Sequence, residues 1–185
     1  MAADKKSFLQ KVTILHDSRE QKNAHILDEL DRLGISHRER KLDFGDYSFL
    51  AEERDFSLSC VIERKASIDE LYGNLIADRG RLEKELDAAS RLACQFVLLM
   101  ENCSGMEVLR EYLVPDWQMK AQNRKQRETG AFCAATLHSW QCGNRYRFRT
   151  VFVEDSSQTA ARMLEEFYYF WRNYKLLTAS RRNRT

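Results

Sequence analysis

The apolar positions of this chain fall into short runs and helical stripes that alternate along it. Val12 to Leu15 is β-branched and apolar, which predicts a strand buried on both faces. After His16-Asp17-Ser18, the residues Ile26, Leu27, Leu30 and Leu33 share one helical stripe that Gly34 ends. From Ile35 the pattern predicts strands at Ile35 to Leu42, Tyr47 to Leu50 and Ser57 to Glu63. Turns at Phe44-Gly45 and in the acidic segment Ala51 to Asp55 predict an antiparallel meander there. A second helix fits Gly80 to Leu92, where Leu82, Leu86, Ala89 and Ala93 recur every three or four residues. Gln95 to Met100 reads as another buried strand, and Met106 to Tyr112 as a short helix.

Residues 114 to 130 change character. They hold the sole proline, Pro115, and a run from Gln118 to Arg127 with Lys120, Arg124, Lys125 and Arg127 and no acid, which predicts a mobile basic loop. Beyond it, Ala131 to Gln141 predicts a helix and Tyr146 to Val153 a strand. Ser156 is placed to cap a long last helix with Ala160, Leu164, Phe167, Trp171 and Tyr174 on one face. Strands alternating with helices at both ends, around a central meander, predict an α/β sandwich with a mixed sheet. The expected organisation is an N-terminal extension (residues 1–10), one domain (11–177) and a frayed basic tail (178–185).

Composition narrows the class. With 43% hydrophobic and 31% charged residues, the 185-residue chain is neither disordered nor of low complexity. No apolar run approaches the roughly 20 residues of a membrane helix, and the N-terminus lacks the apolar core of a signal peptide. An intracellular protein with no membrane partner is expected, in cytoplasm, nucleoid or nucleus. Five cysteines without a CxxC pair suit free thiols. A formal charge of +2 does not by itself announce nucleic acid.

The candidate chemistry lies in Gly45-Asp46-Tyr47 and Glu63-Arg64-Lys65, followed by Asp69. Side chains alternate along a strand, so Glu63 and Lys65 share one face and Arg64 takes the other. If the strands carrying Asp46 and Glu63 pair, two carboxylates and one ammonium meet at one sheet end. Such a set suits metal-assisted phosphodiester hydrolysis. Mg²⁺ takes one or two carboxylates plus water and phosphate oxygens, and Lys65 would orient water and offset charge on the phosphate. An isolated Glu-x-Lys pair reads more simply as a surface contact worth about 0–1 kcal/mol. Here the apolar Cys60-Val61-Ile62 immediately precedes the triplet and argues against that.

This arrangement resembles the XPF-type structure-specific endonucleases, a branch of the restriction-endonuclease-like PD-(D/E)-x-K superfamily. Asp17-Ser18-Arg19-Glu20 is similar to the family's first-strand element, Ser67 with Asp69-Glu70-Leu71 to the start of its next helix, and Gly80-Arg81-Leu82 to its G-R-F/L element. The likeness covers roughly residues 11 to 175. It implies a three-layer sandwich with a mixed sheet flanked by helices. It also implies a Mg²⁺- or Mn²⁺-dependent DNA endonuclease of repair or recombination, cutting flaps or forks as a homodimer. Asp46 and Glu63 would be metal ligands, with Asp17 or Glu20 completing the set, and Lys65 the catalytic cation. Arg19, Glu20, Arg64, Asp69 and Gly45 would line or support the site, and Arg19, Arg64 and Arg81 would steer phosphates.

Three departures accompany the likeness. A helix-hairpin-helix module is absent from the sequence, so a separate DNA-binding partner would have to supply its grip on junctions. Glu85 stands where a glutamine is usual after G-R-F/L, and the basic loop reads as an insertion. Two rival readings follow: a non-catalytic DNA-binding or scaffold subunit, which the retained Asp46, Glu63 and Lys65 argue against, and a nuclease without junction preference.

Weaker signals remain. Arg145, Arg147 and Arg149 alternate with Tyr146 and Phe148, giving a strand with one cationic face, a candidate for phosphate contact at Arg147 or simply an exposed edge. Lys120, Arg124, Lys125 and Arg127 could track a DNA backbone. Cys133, His138 and Cys142 share no clean helical face and suit buried thiols better than zinc. The stripe Phe167, Trp171 and Tyr174 suggests core or a dimer interface, and with Tyr168, Tyr169 and Phe170 the last helix is aromatic nearly all round, which favours burial against a second subunit.

Overall fold

The computed structural model describes residues 2–121, 127–142 and 145–182. Its described elements are helices and a seven-stranded mixed sheet. The chain divides into two compact units, residues 1–62 with 157–185, and residues 63–156.

In the first unit α1 (Ala2–Lys11) leads into β1 (Val12–His16), followed by α2 (Ala24–Arg32) and β2 (Ser36–Glu39). β2 runs parallel to β1, Thr13 opposite Ser36. This corrects the expected meander at its first strand: a strand–helix–strand crossover returns parallel, whereas only a tight turn returns antiparallel. The predicted Ile35 to Leu42 strand is correspondingly short. β3 (Tyr47–Ala51) is antiparallel to β1, with His16 opposite Tyr47, and pairs with β4 (Arg54–Asp55) across a turn at Glu52 and Glu53. β3 also meets β5 (Cys60–Lys65) at Tyr47 and Ile62, so the antiparallel part of the expectation holds there.

A single-turn 3₁₀ segment at Ser156–Gln158 precedes the last helix, Thr159–Arg182. Its Phe167, Tyr168 and Trp171 are buried in the same chain. Phe167 packs 4.8 Å from Phe49, itself stacked 4.6 Å from Phe56, and Trp171 lies 5.2 Å from Phe8 of α1. The aromatic stripe is therefore core, and α1 belongs to it through Phe8. The tail is helical as far as Arg182.

In the second unit the end of β5 neighbours β6 (Gln95–Glu101), and β6 neighbours β7 (Phe148–Val153) in parallel, Phe96 opposite Phe148. The helices here are α3 (Ile68–Ile76), α4 (Arg79–Arg91), α5 (Met106–Glu111), α6 (Asp116–Ala121) and α7 (Thr129–Cys142); the last helix of the chain is α8. Two expectations shift. Part of the predicted basic loop is α6, and Tyr146 precedes the edge strand β7. The alternation still stands: Tyr146 is buried against Trp140, while Arg145, Arg147 and Arg149 are exposed. All five cysteines are free thiols. Among the described residues no helix is long and apolar enough to cross a membrane.

His16, at the end of β1, is buried, and its ring lies 5.7 Å from that of His37. Burial, helped by His37, lowers its pKa from the usual 6.5. An imidazole kept neutral by the fold binds fewer protons than in the unfolded chain, so stability is expected to fall as pH drops below about 6.5. Urea titrations at pH 7.5 and 5.5 check this; His16→Gln should flatten the difference.

Candidate active site

The turn before β3 is built on a glycine. Gly45 has φ +73°, and a Cβ there would lie 3.0 Å from the Val61 Cβ. Both the left-handed backbone and the close approach exclude larger residues. Gly45→Ala is expected to cost about 1–3 kcal/mol, read as a lowered urea midpoint. The turn holds Asp46 by its main chain: the Asp46 amide donates to the Ile62 carbonyl at 2.8 Å, and its carbonyl accepts from the Asp17 amide at 2.7 Å. Asp46 thus sits beside Ile62 of β5.

Every residue of β5 is buried, its charged end included. Lys65 Nζ donates to Glu63 Oε1 at 2.5 Å and lies 4.0 Å from Glu70 Oε1. Arg64, 4% exposed, instead pairs with Glu101 at the end of β6, 3.0 Å away. The alternation of faces is as expected, with one consequence for Arg64. The Arg64 guanidinium is buried against Glu101 rather than presented to solvent.

Asp17 is also occupied. One oxygen accepts from the Arg19 amide at 2.8 Å and from Arg19 Nε at 2.6 Å; the other accepts from Arg19 Nη2 at 3.1 Å and from the Leu42 amide at 2.6 Å. Burial pushes this carboxyl up, but the Arg19 and backbone hydrogen bonds outweigh it and hold it below the usual range. A cation at Asp17 would have to displace donors from all four lone-pair directions. Asp17 thereby acts as a clamp on the loop through Leu42. Arg19 is exposed at its head, and Glu20, half-buried, accepts from the Lys22 amide at 3.2 Å.

α3 starts on Ser67, whose hydroxyl accepts from the Glu70 amide at 3.1 Å, while Glu70 Oε2 accepts from the Ala66 amide at 3.0 Å. This reciprocal cap fixes where the helix begins after β5. Asp69 accepts from Tyr112 Oη at 2.7 Å and from Gln118 Nε2 at 3.0 Å, so it supports the segment carrying α6.

The sequence reading left one residue outside the site. Glu85 of α4 takes Arg81 Nη1 at 2.9 Å on one oxygen, while its Oε2 is buried and has no hydrogen-bond partner among the described residues. Burial first, and then the negative charge of Glu63, raise its pKa; Arg81 and Lys65 oppose the rise. Glu63, Lys65 and Glu85 therefore act on one another. The available signal was the acid in place of the family's glutamine, beside the buried Leu82 and Leu86.

Among the DNA-contact candidates, Arg81 is half exposed but bound to Glu85. Lys120 is exposed on α6 beside Trp117, which is 72% exposed, and Arg127 pairs with Asp116 at 3.1 Å. Arg124 and Lys125 lie outside the described residues. Arg147 is exposed, its amide donating to Ser90 Oγ.

No three or more His, Cys, Asp or Glu residues gather into a metal cage among the described residues. Mg²⁺ does not require one, since one or two carboxylates suffice when water and phosphate complete its shell. The donors are hard oxygens, and an orphaned buried carboxylate oxygen is a feature that an ion explains. The residues present fit a divalent cation.

The chain resembles known proteins both in sequence and in fold. XPF from Aeropyrum pernix matches with a TM-score of 0.55 at 22% identity, over 84% of this chain and 59% of that one. The same protein in complex with DNA matches at 20% identity and TM-score 0.55, over 87% of this chain and 65% of that one. This chain thus spans less than two thirds of either, and at such identities the likeness shows the shared mixed-sheet fold. A comparison with curated protein sequences returns no match. The family model described as the ERCC4 domain matches residues 16–165. The matched span runs from the end of β1 into α8 and contains the G-D-Y turn, the E-R-K strand end and α4, so the chain belongs to the ERCC4 domain family.

Proposed function

We propose that this protein is a divalent-metal-dependent DNA endonuclease acting on branched DNA as a homodimer. The carrying observation is the buried Lys65–Glu63 pair, two residues apart on one face of β5, in a chain of the ERCC4 domain family. Asp46 and Glu63 would hold Mg²⁺ or Mn²⁺, which would supply Lewis acidity toward the phosphate and toward a water. Lys65 orients the attacking water through Nζ and offsets the charge that develops on the phosphate oxygens. Glu20 borders the site, and Arg19, whose head is exposed, positions the approaching backbone. The DNA in the structure of the Aeropyrum pernix protein supports DNA as the substrate class. Lys120, Arg124, Lys125, Arg127, Arg147 and Arg81 extend the contact along the duplex.

The test is cleavage of end-labelled linear duplex, single strand, 3′ flap and fork in Mg²⁺. Cutting of flap and fork in preference to linear duplex, lost in Asp46→Asn, is expected. Binding without cutting in either Mg²⁺ or Mn²⁺ would overturn the proposal, and equal rates on every substrate would remove the junction preference.

A further inference from the structure

None of the six residues of α6, Asp116–Ala121, is buried. A helix so short is marginal in water by itself, and burial does not hold this one. Polar tethers do. Gln118 Nε2 donates to Asp69 at 3.0 Å, Arg127 pairs with Asp116 at 3.1 Å, and the Val114 amide donates to the Arg127 carbonyl at 3.0 Å. Asp69 also accepts from Tyr112 Oη at 2.7 Å, so one carboxylate grips the segment at two points. What this mount displays is Trp117, 72% exposed, whereas the other two tryptophans of the chain, Trp140 and Trp171, are buried. A tryptophan fastened in solvent by its neighbours' hydrogen bonds, with no core contact to justify the helix that carries it, marks a binding surface.

Charge indicates what that surface takes. Lys120, also exposed, stands three residues after Trp117, and side chains at that spacing are neighbours on a helix. From Trp117 to Arg127 the sequence holds four cations and no acid, and Asp116 just before them is matched by Arg127. An indole beside an ammonium suits one nucleotide, the ring stacking on the base and the cation meeting its phosphate. An apolar protein surface would leave the cations unmatched. We infer that Trp117 stacks on an unpaired base of branched DNA, with Lys120 on the adjoining phosphate, an inference that rests on the reading of DNA as the substrate. Bases within a duplex are already stacked on both faces, so this contact selects a branch over continuous duplex. Every base offers a π-face, so it does so without regard to sequence.

The experiment titrates the full chain, in EDTA and low salt, with three labelled DNAs: a fork with unpaired arms, the same fork with abasic arms, and a continuous duplex. Binding is read by anisotropy of the label and stacking by tryptophan emission. Because Trp140 and Trp171 are buried, the emission open to acrylamide belongs to Trp117. The intact fork is expected to quench that emission and shield it from acrylamide, while the abasic fork and the duplex bind without doing either. Trp117→Ala should bind the intact fork about tenfold more weakly and the duplex as the parent does. Trp117→Phe should recover most of that affinity, and serves as the variant without the emission signal if the alanine variant folds poorly. Equal quenching by the abasic fork, or unchanged fork binding in Trp117→Ala, overturns the inference. So does weakening on all three DNAs alike, which is the mark of a structural role. Shielding from acrylamide that grows with protein concentration in the absence of DNA would give the surface to a second copy and also overturn it. If the parent binds none of the three DNAs, the reading of DNA as substrate fails as well.

Discussion

Replacing Lys65 with methionine is expected to slow Mg²⁺-dependent DNA cleavage by about 10²–10³-fold while leaving Mn²⁺ binding intact. The methionine stem fills much of the same space, so the change removes the ammonium and little else. Two effects separate cleanly. Without metal, Glu63 loses its 2.5 Å partner and remains buried within the field of Glu85, so the free protein should melt at a lower temperature. With Mn²⁺ bound, the ion replaces the lost positive charge and much of that stability should return. A melt restored by Mn²⁺, with cleavage still lost, is the signature of a group needed for the reaction and not for the site's assembly. A rate within about tenfold of the parent would remove Lys65 from the mechanism.

Arg64→Met should do the reverse, costing about 3–5 kcal/mol of stability. The Arg64–Glu101 pair is buried on both sides at 3.0 Å, and removing the guanidinium leaves a carboxylate in the interior without it. Urea unfolding gives the number. The double variant Arg64→Met/Glu101→Leu should recover most of the loss, because a buried pair can be exchanged for apolar contact when both charges leave together. Near-parental stability in Arg64→Met, combined with weaker DNA binding, would contradict the structural role and restore the phosphate contact. Neighbours in the sequence, Lys65 and Arg64 thus have opposite expected phenotypes, since a strand sends them to opposite faces.

The same rule explains how much of the site was legible. Glu63 and Lys65 could be placed on one face because the side-chain period of a strand is two, and the apolar Cys60-Val61-Ile62 indicated that the face is buried. The Gly45 turn was legible because few other residues tolerate its backbone. The Arg64–Glu101 pair was not legible, because Glu101 lies on a strand thirty-six residues beyond Lys65, a pairing that no local spacing reveals. Glu85 was noticed only as a departure, since its proximity to Glu63 depends on how α4 packs after β5. The pairing of β2 with β1 instead of β3 was missed because charged and polar residues dominate it, Ser36–Glu39 having no interior pattern to fix its pairing. The role of α1 rests on one aromatic, Phe8, too sparse a signal to mark a core helix. The long α8 stripe was read correctly as apolar, and its packing on Phe8, Phe49 and Phe56 answers the choice between core and interface in favour of core.

The most direct measurement is anomalous scattering from crystals of the full chain soaked in Mn²⁺. A cation shared by Asp46 and Glu63 predicts a single strong peak within about 2.0–2.6 Å of a carboxylate oxygen from each. A map with no peak there, or with one that neither residue touches, would contradict it.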